Sequence, residues 1–422
     1  MEKKTNTPAL RFRGFNGPWE KKKLGELGSL KNGMNFGKDA MDHGSPFVGI
    51  QDIFGKNVVD INHLGKAEAT PNQQRDYNLK KGDVLFVRSS VKLEGVGECA
   101  LIPKDLPQAT YSGFTIRFRD EIGMNNDFKR YVFTTKNVRG QILSQATNSA
   151  NKNISQPILS SLKISIPEIE EQKIIGNFFA TLDEKTFAQE QKIKKLEQFR
   201  QAMLTKLFPA EGASEPALRF YGFSGPWVKR GLLENFTKII DFRGRTPKKL
   251  GMDWSANGYP ALSALNVKDG YIDFSQDVHF GSPELYEKWM VGNELHRGQV
   301  IFTTEAPMGN VAQIPDERKY ILSQRTIAFE VYPALLTEDF LATLLRSPKV
   351  QKDLQALSSG GTAKGVSQRS MEMVDVVLPA NIEEQKKIGD FFHRLDLYIS
   401  LQKEKLEKMR LLKAALLDKL FV

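Results

Sequence analysis

The chain has 422 residues, with 60 Lys and Arg against 50 Asp and Glu and a net charge of +10. Hydrophobic residues make up 40% and charged residues 26%, an ordinary globular mix long enough for two or three domains. One cysteine, Cys99, excludes an internal disulfide; the 5 histidines lack metal-ligand spacing; no apolar run approaches the ~20 residues that span a bilayer. The start, MEKKTNTPALRF, has no apolar stretch of the kind a secretory signal needs, so a cytoplasmic protein is expected.

The first element is a phrase written twice. Residues 8–19 read PALRFRGFNGPW and residues 216–227 read PALRFYGFSGPW, identical at ten of twelve positions at an offset of 208. A second echo follows: EEQKIIGNFFATLD at 170–183 and EEQKKIGDFFHRLD at 383–396 agree at ten of fourteen, at an offset of 213. Between the echoes the two halves look different. Such a period is far too long for a solenoid, so each copy must be a domain with its own core. Phe12, Phe15 and Trp19 are expected to pack on the scaffold, and a DNA role for Arg11 or Arg219 is the lesser alternative.

From there to about residue 160 short apolar runs alternate with Gly, Pro, Asn and Asp. VLFVRSS (84–90), CALIP (99–103) and FTIRF (114–118) read as strands, and residues 127–136 as a helix. Residues 20–160 hold 20 Lys and Arg against 15 Asp and Glu, an excess of five cations. Residues 168–208 then contain no proline and one glycine, Gly176, after Pro167 and before Pro209. Carboxylates fill the first turn, and apolar residues recur at spacings of three and four. About 40 helical residues span roughly 60 Å, too long to lie along one compact domain, so a partner helix is required. Residues 382–421 repeat the design and supply it, predicting an antiparallel intramolecular coiled coil.

AEGASEP (210–216) is small, acidic and proline-flanked, and reads as a linker. Residues 228–375 again mix strands, QVIFTTE and TIAFEVY, with one helix at 337–346, and carry 18 Lys and Arg against 18 Asp and Glu. The fold class expected is mixed α/β (α+β). Residues 1–160 are expected to form a first globular domain, 161–208 a central helix, 209–227 a linker with the repeated phrase, 228–375 a second globular domain and 376–422 a C-terminal helix.

Catalytic signatures are missing. No adenosylmethionine-binding turn or Asp/Asn-Pro-Pro-aromatic tetrapeptide is visible. SGGTAKG (359–365) lacks the Gly-Lys-Ser/Thr end of a phosphate loop, and PDERK (315–319) reads as a turn. What remains are polar loops in corresponding places, rich in the groups that touch phosphates and base edges. The candidates for DNA are Arg88, Ser89, Ser90 and Lys92 in RSSVKLEGVGE, and Thr303, Thr304 and Asn310 in TTEAPMGNVAQ. Arg243, Arg245 and Lys248 lie in FRGRTPKK. Asn151 and Lys152, with Lys364, Gln368 and Arg369, precede the two long helices at matching positions.

The duplicated GPW phrase, the Arg-Thr-Pro turn at 245–247, TTEAPMGN and the duplicated EEQKxIGxFFxxLD together resemble the specificity subunits of type I restriction–modification enzymes. The resemblance covers essentially the full length. One departure is that two residues separate Pro167 from its Glu-Glu pair and three separate Pro379 from its own. The resemblance implies that each divergent segment reads one half of a bipartite double-stranded DNA site and that the helices set the gap. It implies a non-catalytic subunit without a cofactor or metal of its own. Two methyltransferase subunits would bring adenosylmethionine, and motor–nuclease subunits ATP and Mg²⁺. The duplicated helix starts would dock the methyltransferases through Glu171, Gln172, Ile175, Phe178 and Phe179, and through Glu384, Gln385, Ile388, Phe391 and Phe392. The alternative is a coiled-coil scaffold that binds proteins and no specific DNA.

Overall fold

The computed structural model describes residues 6–146, 152–360 and 364–422, which fold as two compact units. The first comprises residues 1–190 with 405–422, the second residues 191–404. No helix among the described residues is long and apolar enough to cross a membrane.

The first unit is built on strands β1 (Glu20–Lys23), β2 (Gly28–Asn32), β3 (Met41–Val48), β4 (Gly65–Ala67), β5 (Val84–Val87) and β6 (Ser89–Ser90). It continues with β7 (Cys99–Leu101), β8 (Thr110–Tyr111), β9 (Thr115–Asp120), β10 (Lys152–Asn153) and β11 (Lys163–Ile166). A four-stranded antiparallel sheet has the order β2-β9-β5-β7, and a smaller sheet the order β4-β3-β8 with β3 and β8 parallel. Short ribbons pair β1 with β11 and β6 with β10.

In the second unit β12 (Val228–Gly231), β13 (Phe236–Asp241), β14 (Tyr259–Leu262), β15 (Phe280–Gly281) and β16 (Val300–Thr303) precede β17 (Val311–Gln313), β18 (Ile321–Leu322), β19 (Thr326–Val331) and β20 (Asp375–Leu378). The sheets run β13-β19-β16-β17 and β15-β14-β18, the latter with β14 and β18 parallel, and β12 pairs with β20. Each of these has its counterpart in the first unit. The duplication therefore extends through the middles whose sequences had looked unrelated.

The central strands read as unbroken apolar runs because both faces are buried. Val84 and Phe86 of β5 enter one hydrophobic cluster while Leu85 and Val87 enter another. In β16, Val300 and Phe302 face one cluster and Ile301 the other.

The long helices run Ile169–Lys206 and Ile382–Leu420. Each begins in one unit and ends in the other, so each core holds the start of one helix and the end of its fellow. In the first unit Leu420 and Phe421 join Ile175 and Phe179; in the second Leu204, Leu207 and Phe208 join Ile388 and Phe392. Charge pairing between the helices is antiparallel within each unit. Asp183 meets Lys413 and Glu190 meets Arg410 in the first; Glu197 meets Lys403 and Arg200 meets Asp396 in the second. The stretch read as a linker is a closed turn: Pro209 bridges Pro216, and Glu211 pairs with Lys352 at 2.8 Å.

The helix expected at 127–136 is two helices, Asn126–Val132 and Lys136–Gln145, because Thr135 caps the second. The one expected at 337–346 is Glu338–Leu345, capped by Thr337.

Cys99 lies on β7 inside the first core, and burial pushes its thiol up to about 12, with Arg139 opposing. Since the thiolate is the nucleophile, iodoacetamide at pH 8 should leave folded protein unmodified and label it fully in guanidinium. Labelling of the native chain at the rate of a free thiol would contradict this burial.

Candidate nucleic-acid interface

Two constellations repeat in both units: a clasp on the long helices and a mouth at one end of the four-stranded sheet. The clasp accounts for both sequence echoes. The N–H of Leu10 donates to the carbonyl of Lys419 and that of Leu218 to Lys206, each at 2.8 Å, so the repeated phrase ties off a helix C-terminus. The next residue, arginine, reaches the start of the other helix. Arg11 donates Nε and Nη2 to the Glu171 carboxylate at 2.8 and 2.7 Å, and Arg219 does the same to Glu384 at 2.7 and 2.8 Å. A third bond, 2.5 Å in both copies, runs to the carbonyl of Gly17 or Gly225. These glycines sit at φ 79° and 84°, the left-handed turn that aims the carbonyl at the guanidinium. Both arginines thus serve the scaffold.

The rest of EEQKxIGxFFxxLD is used the same way. Gln172 accepts from the N–H of Asn125 at 3.0 Å and donates to Pro167; Gln385 accepts from Thr337 at 3.0 Å and donates to Pro379 and Leu335. Each glutamine holds the cap of a short helix against the long one. Of the ten residues assigned to a partner, Glu171, Gln172, Ile175, Phe179, Glu384, Gln385, Ile388 and Phe392 are buried. Phe178 and Phe391 are half-buried against Phe12 and Phe220, at 5.5 and 5.9 Å. The docking surface that the resemblance implied is not open at those eight residues, because the chain's own clasp and core cover them. Asp183 and Asp396, at the end of the echo, are also inside their units. Asp183 receives Tyr131, Asn57 and Lys413, and Asp396 receives Arg200 and Arg346.

The mouth gathers loops that are far apart in sequence. In the second unit the antiparallel register brings the end of β13, the start of β19 and the end of β16 to one edge, with Asp241 opposite Ile327 and Thr303 opposite Thr326. The segment before the second long helix joins them, as the N–H of Val366 donates to Thr304 at 2.9 Å and Glu305 bridges Gly365. In the first unit Ile154 donates to Arg88 at 2.9 Å and Lys152 and Asn153 pair with Ser90 and Ser89. The loops singled out in sequence are therefore brought together within each unit.

Their residues divide into structural and exposed. Thr303 and Thr304 are buried. Thr303 Oγ1 accepts from the N–H of Asn310 at 2.9 Å, and the Asn310 amide donates to Val267 at 2.8 Å. These three hold the turn, which corrects their assignment to DNA; a strand-end threonine faces in or out by parity, which composition does not reveal. Gln368 donates to Asp241 at 2.9 Å, and Arg245 donates to the Trp289 carbonyl while lying over Phe242 at 4.5 Å, so both are tied into the mouth. Burial pushes the Asp241 carboxyl up, but bonds from Arg243 and Gln368 outweigh it and hold it below its ordinary value. Arg88, Ser89, Ser90 and Lys152 are half-buried at the strand ends, whereas Lys92, Arg243, Lys248, Lys364 and Arg369 are exposed. Asn151 lies outside the described residues.

Sequence reasoning missed Gln324, Arg325 and Phe114, which stand at the same mouths. The signal was present: TIRF at 115–118 and TIAF at 326–329 are a third echo, and each follows directly on one of these residues. It also missed KLF, at 206–208 and 419–421, which closes both long helices.

Comparison with known proteins follows the same two halves. The family described as type I restriction modification DNA specificity domain matches residues 16–198 and again 225–410. A curated relative, the putative type I restriction enzyme MjaX specificity subunit of Methanocaldococcus jannaschii, is 24% identical over 412 residues, 93% of this chain and 91% of its own. The EcoKI specificity subunit of Escherichia coli is 25% identical over 191 residues, 44% of this chain and 41% of its own. The crystal structure of the S subunit of a type I system from M. genitalium superimposes with a TM-score of 0.59 at 16% identity, covering 99% of both chains. A structure from work on complex assembly of the type I system gives 0.55 at 17% identity, over 96% of this chain and 97% of that one.

Proposed function

Because this chain belongs to the type I restriction–modification DNA specificity family, we propose that its two units each read one half of an asymmetric bipartite DNA site. The observation that carries this reading is one backbone used twice with different exposed side chains at the mouth, while the clasp residues are the same in both. Two different readers on one scaffold make a non-palindromic target. Exposed Lys92, Lys248, Lys364 and Arg369 supply the phosphate contacts that set register, and the mouth residues supply base contacts. The long helices fix the gap between half-sites.

The chain itself performs no chemistry and carries no cofactor; it directs two adenine methyltransferase subunits that bring adenosylmethionine, and motor–nuclease subunits that use ATP and Mg²⁺. With Glu171, Gln172, Ile175, Phe179 and their counterparts committed inside the units, the helix faces open to the methyltransferases are those with Ile174 and Phe187 in the first unit and Leu397 and Leu401 in the second. The complex works in the cytoplasm.

The test is to co-express the chain with its methyltransferase and map adenine methylation across the host genome, beside the methyltransferase alone. One bipartite asymmetric motif, present only with this chain, is the expected result. A complex that co-purifies and methylates no motif would instead favour a protein scaffold.

A further inference from the structure

The two mouths share one position whose backbone is paired and whose side chain is exposed. In the second unit the N–H of Thr304, one residue past β16, donates to the carbonyl of Arg325 at 2.8 Å; in the first the N–H of Arg88, one residue past β5, donates to Phe114 at 2.7 Å. Arg325 and Phe114 therefore occupy the same place, directly before the second strand of the main sheet. Their neighbours Thr115 and Thr326 are fully buried, while the Arg325 side chain is 57% and Phe114 58% exposed. Arg325 also holds φ at 65°, a left-handed backbone that an arginine adopts only at a cost of about 1–2 kcal/mol. The same ladder position, left-handed at Arg325 and not at Phe114, carries an exposed cation in one copy and an exposed aromatic in the other, as a variable reader requires.

The guanidinium is already oriented. Its Nε meets Glu305 Oε1 at 2.7 Å, and Glu305 is itself half-exposed. Glu305 belongs to the turn where the segment before the long helix crosses, bridged to Gly365. Among the described residues no hydrogen bond engages Nη1 or Nη2, so two donors remain available beside the ion pair. Guanine offers two adjacent acceptors, O6 and N7, on its major-groove edge, and a bidentate arginine is the commonest specific contact there. The carboxylate favours a base over a phosphate. Beside a phosphate Glu305 adds like-charge repulsion, whereas beside a G·C pair it can accept from the cytosine amine while Arg325 donates to guanine. Holding the side chain before binding also lowers the entropy lost in the contact.

Resting on the reading of this chain as a sequence-specific DNA subunit, we propose that Arg325 reads a guanine in the half-site of the second unit and that Glu305 positions it. Phe114 has no donor, so the first unit places an apolar contact at the equivalent position, suited to a thymine methyl.

The experiment is the methylation map repeated with Arg325→Gly, Arg325→Gln, Glu305→Gln and Phe114→Ala in the intact complex. Glycine suits the left-handed backbone, so Arg325→Gly removes the side chain without unfolding the mouth, and co-purification with the methyltransferase confirms assembly. Loss of discrimination at a single guanine of one half-site, by roughly 10- to 100-fold, is expected for both Arg325 variants. Glu305→Gln should relax the same position less, and Phe114→Ala should change the other half-site only. An unchanged motif overturns the inference. So does a uniform fall in methylation with the motif intact, which is the mark of a phosphate contact. So do Arg325 and Phe114 variants that alter the same half-site. A wild-type chain that directs no motif would instead remove the reading on which the inference rests, and the inference with it.

Discussion

Arg11→Ala should destabilise the protein by about 3 kcal/mol, the lower end of what leaving a buried charge unpaired costs, and Arg219→Ala by less. Both arginines clamp a glutamate that is almost wholly buried: the side chains of Glu171 and Glu384 are 0% and 1% exposed. The arginines are 18% and 16% exposed, so water reaches them and the lower end of the range applies. Removing the arginine is the severe change, because the carboxylate stays behind without its two strongest donors. The copies differ in what is left. Trp227 Nε1 lies 3.4 Å from Glu384 and continues to donate, whereas Trp19 Nε1 is buried with no partner among the described residues. Pairing Arg11→Ala with Glu171→Leu should recover part of the loss, since replacing both partners by apolar groups removes the buried charge. Chemical denaturation of the four proteins measures this. Losses below 1 kcal/mol at both sites would mean that water solvates the clasp as it does a surface pair.

The clasp shows what a sequence reveals and what it withholds. Its aromatics, Phe12 and Trp19, were legible as scaffold because the phrase PALRFxGFxGPW recurs while the middles diverge. The long helices were legible from spacing, from proline at both borders and from the lone glycine. Periodicity identifies an apolar face but not what covers it; the resemblance assigned Ile175, Phe179, Ile388 and Phe392 to another protein, whereas Phe421, Trp19, Phe208 and Trp227 of this chain pack with them. The shared sheet topology was illegible for a related reason. β2 pairs with β9 and β13 with β19 across about ninety residues of divergent sequence, and a backbone ladder leaves little trace in side-chain identity. At the mouths, residue type alone singled out Thr303 and Thr304, which face inward. The useful marker was the TIxF echo, a pair of buried positions that fixes the exposed residue beside them.

The lone helix glycine carries the other large effect. Gly176→Ala and Gly389→Ala should each destabilise by about 2 kcal/mol, although alanine favours an isolated helix by about 1 kcal/mol over glycine. A Cβ on Gly176 would stand 2.6 Å from the backbone nitrogen of Phe128 and 2.8 Å from Asp127 Cβ; on Gly389 it would stand 2.7 Å from the backbone nitrogen of Phe340 and from Asp339 Cβ. These are the first turns of the two short helices, where the backbone cannot swing aside as a side-chain tip can. Each turn is pinned by a cap, Asn125 or Thr337, and each cap is held by a glutamine of the long helix four residues before the glycine. Moving the turn would pull Phe128 and Tyr131, or Phe340 and Leu341, out of fully packed sites. Overpacking of this kind costs about 1–3 kcal/mol or more, which exceeds the gain in helix propensity. Gly140 supplies the contrast within one protein. It lies in Lys136–Gln145 with nothing within 4 Å of its added Cβ, so Gly140→Ala should stabilise by about 0.5–1 kcal/mol. Opposite signs at Gly140 and at the two clasp glycines, read from the same denaturation curves, would establish close approach rather than helix propensity as the reason for glycine. A neutral or stabilising alanine at Gly176 and Gly389 would show that the short helices yield, and that the long helices are not gripped there at all.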